Sequence, residues 1–487
     1  MMQGTLLRKT ESPVSVSASD EYTPEQYKKL KCKIDRHLLP LMWLCFGLQA
    51  ADKAVLGIMA IFGLREDTGL IGQQYSWLTT VFYLAYMCSE FPSNFILQRW
   101  SMGKTLYVYL LASGCHLIPS SAKDFRHLVA LRALQGFFES CINPGFILII
   151  GSWYTRQEQS SRILIFQSAA SGFGIMTLLA LYGIGTLGSE GKDIQTWRYM
   201  SYLLGPLTIA VGILCLYGLG TPSNFPWLSI EEKRMANTRI LENQSGHDKT
   251  GTMVWKWYQV RECLVDSCVW TFGRFYFSGL NTLLTGVAAF GNIINASFGF
   301  SAYLSVESWC LVMSKWKNLQ LYIMALATVP GIVGFLGVAL IETKESTKWT
   351  KWGMFCMIMP AALSPIMGWT LIPSNVAGST KRTVTSSFTF VCACVGSMCG
   401  SQIFKAKDAP AYTPGVIGCS ICFGIDLLII VMWRMTLALR NKRRDVVQRL
   451  TKEEKEAQGR SNGESDMTDF ENPHTDAYRE RQFRYML

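Results

Sequence analysis

The chain has 487 residues, 49% of them hydrophobic and only 17% charged, with a mean hydropathy of +0.19 and a formal net charge of +11. A single soluble core of this length does not need such an apolar excess, so the composition excludes an ordinary soluble domain and indicates a polytopic membrane protein. The positive balance is no argument for nucleic acid, because the basic residues sit at the ends of apolar segments and in the tails, not in one aromatic-laced patch.

Residues 1–36 form a polar tail without the apolar core of a cleavable signal, so the first apolar segment is expected to be its own insertion signal. Apolar segments follow at 38–61, 77–97, 105–121, 127–151, 163–188, 199–220, 269–294, 319–341, 352–372, 384–404 and 414–439, each near the ~20 residues needed to cross a bilayer. A twelfth, 297–313, reaches about 26 Å against a hydrocarbon core of ~30 Å. Lys and Arg concentrate in alternate connections, which predicts both termini inside and therefore an even number of crossings, twelve in all. Residues 221–267 form a polar linker with a helix expected over Ser229–Gln244, opened by a Ser229 cap with Glu231 and Glu232 behind it. The linker divides the chain into a tail (1–36), a first six-helix half (37–220), a second half (268–439) and a final tail (440–487). Two six-helix halves joined by a linker are the organisation of the major facilitator fold, with its site near the midplane between the halves.

Charges inside spans mark the candidate site. The first span holds Asp52 beside Lys53, and adjacent helical residues diverge by about 100°, so at least one of them needs another partner. The fourth span begins at Arg132 and carries Glu139 two turns later, with Gln135 and Gly136 between them on the same face. That face cannot point at lipid, since a charge at the bilayer centre costs roughly 2.5–3.5 kcal/mol on insertion scales. Gly103-Lys104-Thr105 resembles the end of a phosphate loop, but Gln98 stands where the first glycine belongs and no strand precedes it. Glycines in the fifth span (Gly172, Gly174, Gly183, Gly185) and the eleventh (Gly396, Gly400) suit close helix contact. Most of the fifteen cysteines lie inside spans and read as small packing residues, not as a metal site or bridges. The sequon at Asn295 sits too close to a span to be used. No zinc-protease, nucleophile-elbow or kinase motif is present, so no enzyme is expected, and no cofactor or metal.

The fourth-span block from Arg132 to Arg162, RALQGFFES with a following proline and SWY, resembles the anion:cation symporter family of the major facilitator superfamily, and within it the fungal allantoate permease family. DRHLLPLMWL, EFPSNFILQRW, TWRYMSYLLGPLTI, FGFS and the block from Asn375 to Gly415 carry the same resemblance, which spans about 30–440. It implies proton-coupled uptake of a small organic anion such as allantoate, ureidosuccinate, nicotinate or pantothenate, at the plasma membrane. It also implies functional roles for Arg132 and Glu139, with Lys53 at a position where the family usually has arginine. Lysine offers a point charge in place of a fork for carboxylate. The expected substrate-binding set is Lys53, Arg132, Gln135 and Asn281, and the expected proton-coupling pair is Glu139 and Asp52. The expected partners are a small carboxylate, protons and the lipid bilayer, without nucleic acid, for a chain working as a monomer. The family normally has a full eighth span where Ser297–Met313 stands, so a shortened segment is expected there. Two other readings are a non-transporting or degenerate member acting as a nutrient sensor, and a drug or anion exporter.

Overall fold

The structure is a computed structural model, and it describes residues 22–100, 102–116, 122, 124–169, 172–173, 176, 179–180, 183, 196–220, 222, 227–241, 256–278, 320–342, 344–376, 379–408, 412–447 and 468. Asn281, the Asn295 sequon and the short segment 297–313 lie outside the described residues. Every extended element that is described is helical. The first half contains α1 (Pro24–Ile61), α2 (Gln74–Arg99), α3 (Met102–His116), α4 (Phe125–Glu139), α5 (Ile142–Trp153), α6 (Arg156–Gln167) and α7 (Thr196–Gly218). The linker contributes α8 (Ile230–Leu241) and α9 (Trp257–Val265). The second half contains α10 (Ser267–Ser278), α11 (Gln320–Leu340), α12 (Lys348–Cys356), α13 (Leu363–Asn375), α14 (Ser379–Ile403) and α15 (Thr413–Val447).

Among the described residues, seven helical stretches are long and apolar enough to cross a membrane: Pro24–Ala60, Phe125–Trp153, Trp197–Gly218, Leu321–Leu340, Lys348–Trp369, Thr380–Ile403 and Thr413–Lys442. All seven fall on segments expected from the sequence, and the described residues of the expected spans at 77–97 and 105–121 are helical, as α2 and as α3 up to His116. Two spans are broken where proline removes a donor. Pro144 cannot bond the carbonyl of Ser140, and the fourth span divides there into α4 and α5. Pro360 likewise opens a short 3-10 turn, Met359–Ala362, between α12 and α13. At 1.5 Å per residue α1 is about 57 Å long, which carries its first turns well past any hydrocarbon core.

In the first half α3 packs on α7, α2 on α4, and α1 on α6 and α7; in the second, α11 packs on α15 and α10 on α14 and α15. Gly103 and Gly136 permit the closest approaches, since a Cβ on either would run into a backbone carbonyl, that of Leu219 or Phe82 respectively. At the linker end of the first half Trp153 donates its indole N–H to Gly220 O at 2.6 Å and stacks on Trp227. The second half closes around Trp433, whose ring meets Phe272 at 4.5 Å and Phe275 at 6.0 Å. The linker helix α8 has the expected cap, with Ser229 Oγ accepting from Glu232 N at 3.1 Å and Glu232 Oε2 accepting from Ser229 N at 2.9 Å. Lys33 of α1 then fastens it through Glu232 at 2.8 Å.

Candidate functional site: a bridged charge cluster in the first half

α1 and α4 bring four charged side chains to one place, and the residue at its centre is Gln135. Its amide nitrogen donates to Asp52 Oδ2 at 2.5 Å and to Glu139 Oε1 at 2.9 Å, while its oxygen accepts from Arg132 Nη1 at 2.9 Å. Gln135, Glu139 and Asp52 are buried, and Arg132 and Lys53 are half-buried. Lys53 Nζ lies 3.9 Å from Glu139 Oε2, and it sits over the ring of Tyr86 at 5.2 Å and of Phe82 at 6.0 Å. Two cations and two carboxyls thus share one pocket of low polarity, in which the charges balance only as a group.

The helix periodicity explains the convergence. Arg132, Gln135, Gly136 and Glu139 follow each other at three- and four-residue steps along one stripe of α4, and Leu134 and Phe137 are exposed on the other side. Gly136 lets this stripe press against the backbone of α2 at Phe82, the helix whose Tyr86 ring lies under Lys53. The helix ends at Glu139, midway along the Phe125–Trp153 stretch, where the Pro144 break frees the local backbone. Gln49 Nε2 then reaches the Glu139 carbonyl at 3.3 Å.

Five of the six residues expected at the site, Asp52, Lys53, Arg132, Gln135 and Glu139, are therefore assembled, and the sixth, Asn281, lies outside the described residues. Arg132 addresses the amide of Gln135, and Glu139 forms its ion pair with Lys53. One oxygen of each acid, Asp52 Oδ1 and Glu139 Oε2, is buried without a hydrogen-bond partner among the described residues. Sequence reasoning missed Tyr86, whose hydroxyl accepts from Asn143 Nδ2 at 3.2 Å, and missed Asn143 itself. The signal available for Asn143 was its place next to Pro144 in a span.

The site faces the seam between the halves. Tyr86 of α2 meets Phe390 of α14 at 5.3 Å, with Cys394 buried against the same rings. Further along the pair, at the end remote from the linker, Thr80 Oγ1 is 3.1 Å from Ser401 Oγ and accepts from Gln402 Nε2 at 2.8 Å. Among the described elements this α2–α14 pair carries most of the contact between the halves.

A helical membrane protein with two bundles, a linker and a buried charge cluster at their seam has the build of a transporter, not of an enzyme. The chain belongs to the Major Facilitator Superfamily, whose family model matches residues 42–401. It is similar to the allantoate permease of Saccharomyces cerevisiae, at 30% identity over 96% of this chain and 88% of that protein. It is also similar to the high affinity cysteine transporter of the same yeast, at 28% identity over 88% of this chain and 83% of that one. Among solved structures, the inward open xylose transporter XylE from E. coli superposes with a TM-score of 0.57 at 13% identity, over 81% of this chain and 94% of that one. The resemblance to the fungal allantoate permease family that the fourth-span block carries is thereby borne out.

Proposed function

We propose that the chain imports a small organic carboxylate together with protons, by alternating access of its two halves around the Gln135 cluster. In this reading Arg132 and Lys53 attract the anion, Glu139 and Asp52 carry the proton, and both termini face the cytoplasm of a plasma-membrane transporter. The observation that supports it most is the single amide of Gln135 held between Arg132 and two carboxyls. A substrate carboxylate that takes over the guanidinium competes with Gln135 Oε1, and a proton arriving on either acid changes what Gln135 Nε2 can hold. The basic half of the cluster suits an anion, and the relatives named for allantoate and cysteine transport share only a carboxylate-bearing substrate.

The test is uptake of labelled allantoate, nicotinate, pantothenate and cysteine into cells lacking their own carriers. Uptake is expected to rise as external pH falls and to collapse with a protonophore. Glu139→Gln is expected to remove the pH dependence while leaving substrate exchange partly intact. A charge-assisted contact is worth about 1.5–3 kcal/mol, so Arg132→Ala is expected to weaken apparent affinity by about one to two orders of magnitude. Uptake indifferent to both pH and protonophore would refute the coupling, and a Glu139→Gln chain that is only less abundant, with unchanged pH response, would make the cluster structural.

A further inference from the structure

The stripe of α2 that meets the cluster continues toward the linker end. Phe82, Tyr86, Ser89 and Ser93 are buried along one side of this helix, while Leu84, Cys88 and Phe95 are exposed on the other. Glu90 stands one turn beyond Tyr86 on the inner side, half-buried, with its Oε2 shut off from solvent. Its charge reaches the Tyr86 hydroxyl, the Cys394 thiol of α14 and the Cys141 thiol at the break between α4 and α5. The carboxyl therefore faces the seam between the halves and not the bilayer. An ionisable group kept inside a span is costly and marks a substrate or ion path. Polar groups line the same strip: Tyr86 Oη accepts from Asn143 Nδ2 at 3.2 Å, and Ser93 Oγ lies 2.8 Å from Ser140 Oγ. At the near end Lys53 Nζ lies over the Tyr86 ring at 5.2 Å. A cation and a carboxyl are thus both tied to Tyr86, and the carboxyl is rooted about 6 Å farther along α2.

We propose that Glu90 is a further substrate-binding residue, which accepts hydrogen bonds from an amide-type N–H donor at the end of the substrate remote from its carboxylate. The proposal rests on the reading that Arg132 and Lys53 take that carboxylate, and it narrows the substrate to acids bearing such a donor. An ionised carboxyl only accepts, so the ligand group that faces it must donate, and a donor to a charged acceptor is held more strongly than one to a neutral acceptor. A plain carboxylate in the same place brings a like charge toward Glu90 in a medium of low polarity, which sets the site against it. Spacing selects among donors. An α-ammonium sits beside its own carboxylate, whereas an amide nitrogen four bonds from the carboxyl carbon is about 5 Å away, close to the step from Tyr86 to Glu90.

The test is binding of two acids of one shape, succinamate and levulinate, to the full-length chain in detergent; they differ only in a terminal NH2 against a CH3. The parent is expected to bind succinamate about tenfold to a hundredfold more tightly, the size of a charge-assisted hydrogen bond. Glu90→Leu should remove the preference, and Glu90→Gln, which keeps an accepting oxygen, should retain part of it. Arg132→Ala should weaken both acids and leave their ratio unchanged. The ratio is the readout because a variant that is only less well folded loses both acids alike. A parent chain that binds the two acids equally, or binds neither, would overturn the proposal, as would Glu90 variants with the parent's ratio. A pH profile that shifts in Glu90→Gln at an unchanged ratio would make Glu90 a proton carrier instead. The import reading is decided separately, by uptake against pH and protonophore, so it can stand where this one falls.

Discussion

The two halves secure their linker ends with ion pairs in matching places, and they do so under different dielectric conditions. In the first half Arg162, in the middle of α6, meets Asp35 of α1 at 2.8 Å, flanked by Lys31–Glu158 at 3.2 Å and Lys33–Glu232 at 2.8 Å. In the second half Lys381, at the start of α14, meets Asp266 just before α10 at 2.9 Å and Glu262 of α9 at 2.7 Å, and Arg440 of α15 meets Asp266 at 2.8 Å. Gln259 caps α14 and Asp266 caps α10. The side chains of Arg162 and Asp35 keep 12% and 26% of their exposure, whereas Lys381 and Asp266 keep 0% and 1%. Water can screen the first pair and stand in for a lost partner. The second pair has given up its hydration, so its members depend on Glu262, Arg440 and the two helix caps.

The largest effect should come from breaking the buried cluster. Lys381→Met leaves Glu262 and Asp266 without their shared cation, and removing one partner of a buried pair costs about 3–5 kcal/mol. Arg162→Met, at the wetter base, should cost about 0–1 kcal/mol. Thermal unfolding of both variants in the same detergent measures the difference, and equal losses would mean that burial does not separate the two bases.

Acid should sharpen the contrast next. Burial alone would raise the Asp266 carboxyl, but Lys381, Arg440 and the Cys268 N–H hold it below its ordinary value. A carboxyl with a depressed folded value contributes stability above its unfolded value of about 3.9, and that contribution fades as pH falls through the folded value. Unfolding midpoints should therefore fall below about pH 4, and Asp266→Asn should flatten the response in that window. Glu232 shows the same direction, set against its burial by Lys33 and the Ser229 cap, but it is far more exposed. Glu232→Gln should flatten the acid response less than Asp266→Asn does.

The smallest expected effect is at the linker. Ser229→Ala removes one cap hydrogen bond and should cost about 1 kcal/mol, seen as faster hydrogen exchange in the first turn of α8 with the bundles unchanged. Faster exchange throughout α1 would instead mean that α8 is part of the first bundle.

Much of this could be read from the residues alone, for reasons that differ by region. Spans are legible because a bilayer demands length and apolarity together, and the α4 stripe is legible because charges three and four residues apart must share a face. The Ser229 cap is a local pattern and was found for that reason. The hydrogen-bond order inside the cluster was not legible: Arg132 and Glu139 suggest a direct pair, and only the geometry places Gln135 between them. Lys381 reads as one more basic residue at a span end, because nothing local to it reveals that Glu262 and Asp266 arrive from the linker side. Tyr86 and Phe390 are more than three hundred positions apart, and no period in either helix announces their meeting.

The amide at position 135 has a consequence for how information can pass through the cluster. An amide does not titrate near neutral pH, so Gln135 reports the state of its neighbours only by the way it points. With its oxygen on Arg132 and its nitrogen on Asp52 and Glu139, a turn of one torsion alters its hold on guanidinium and acids at once. Under the proposed function, occupancy on the cationic side and proton count on the acidic side thus become two readings of a single rotor. Gln135→Glu would add a third titrating acid to the cluster, whereas Gln135→Leu would keep the bulk and leave the two sides with nothing to turn between them.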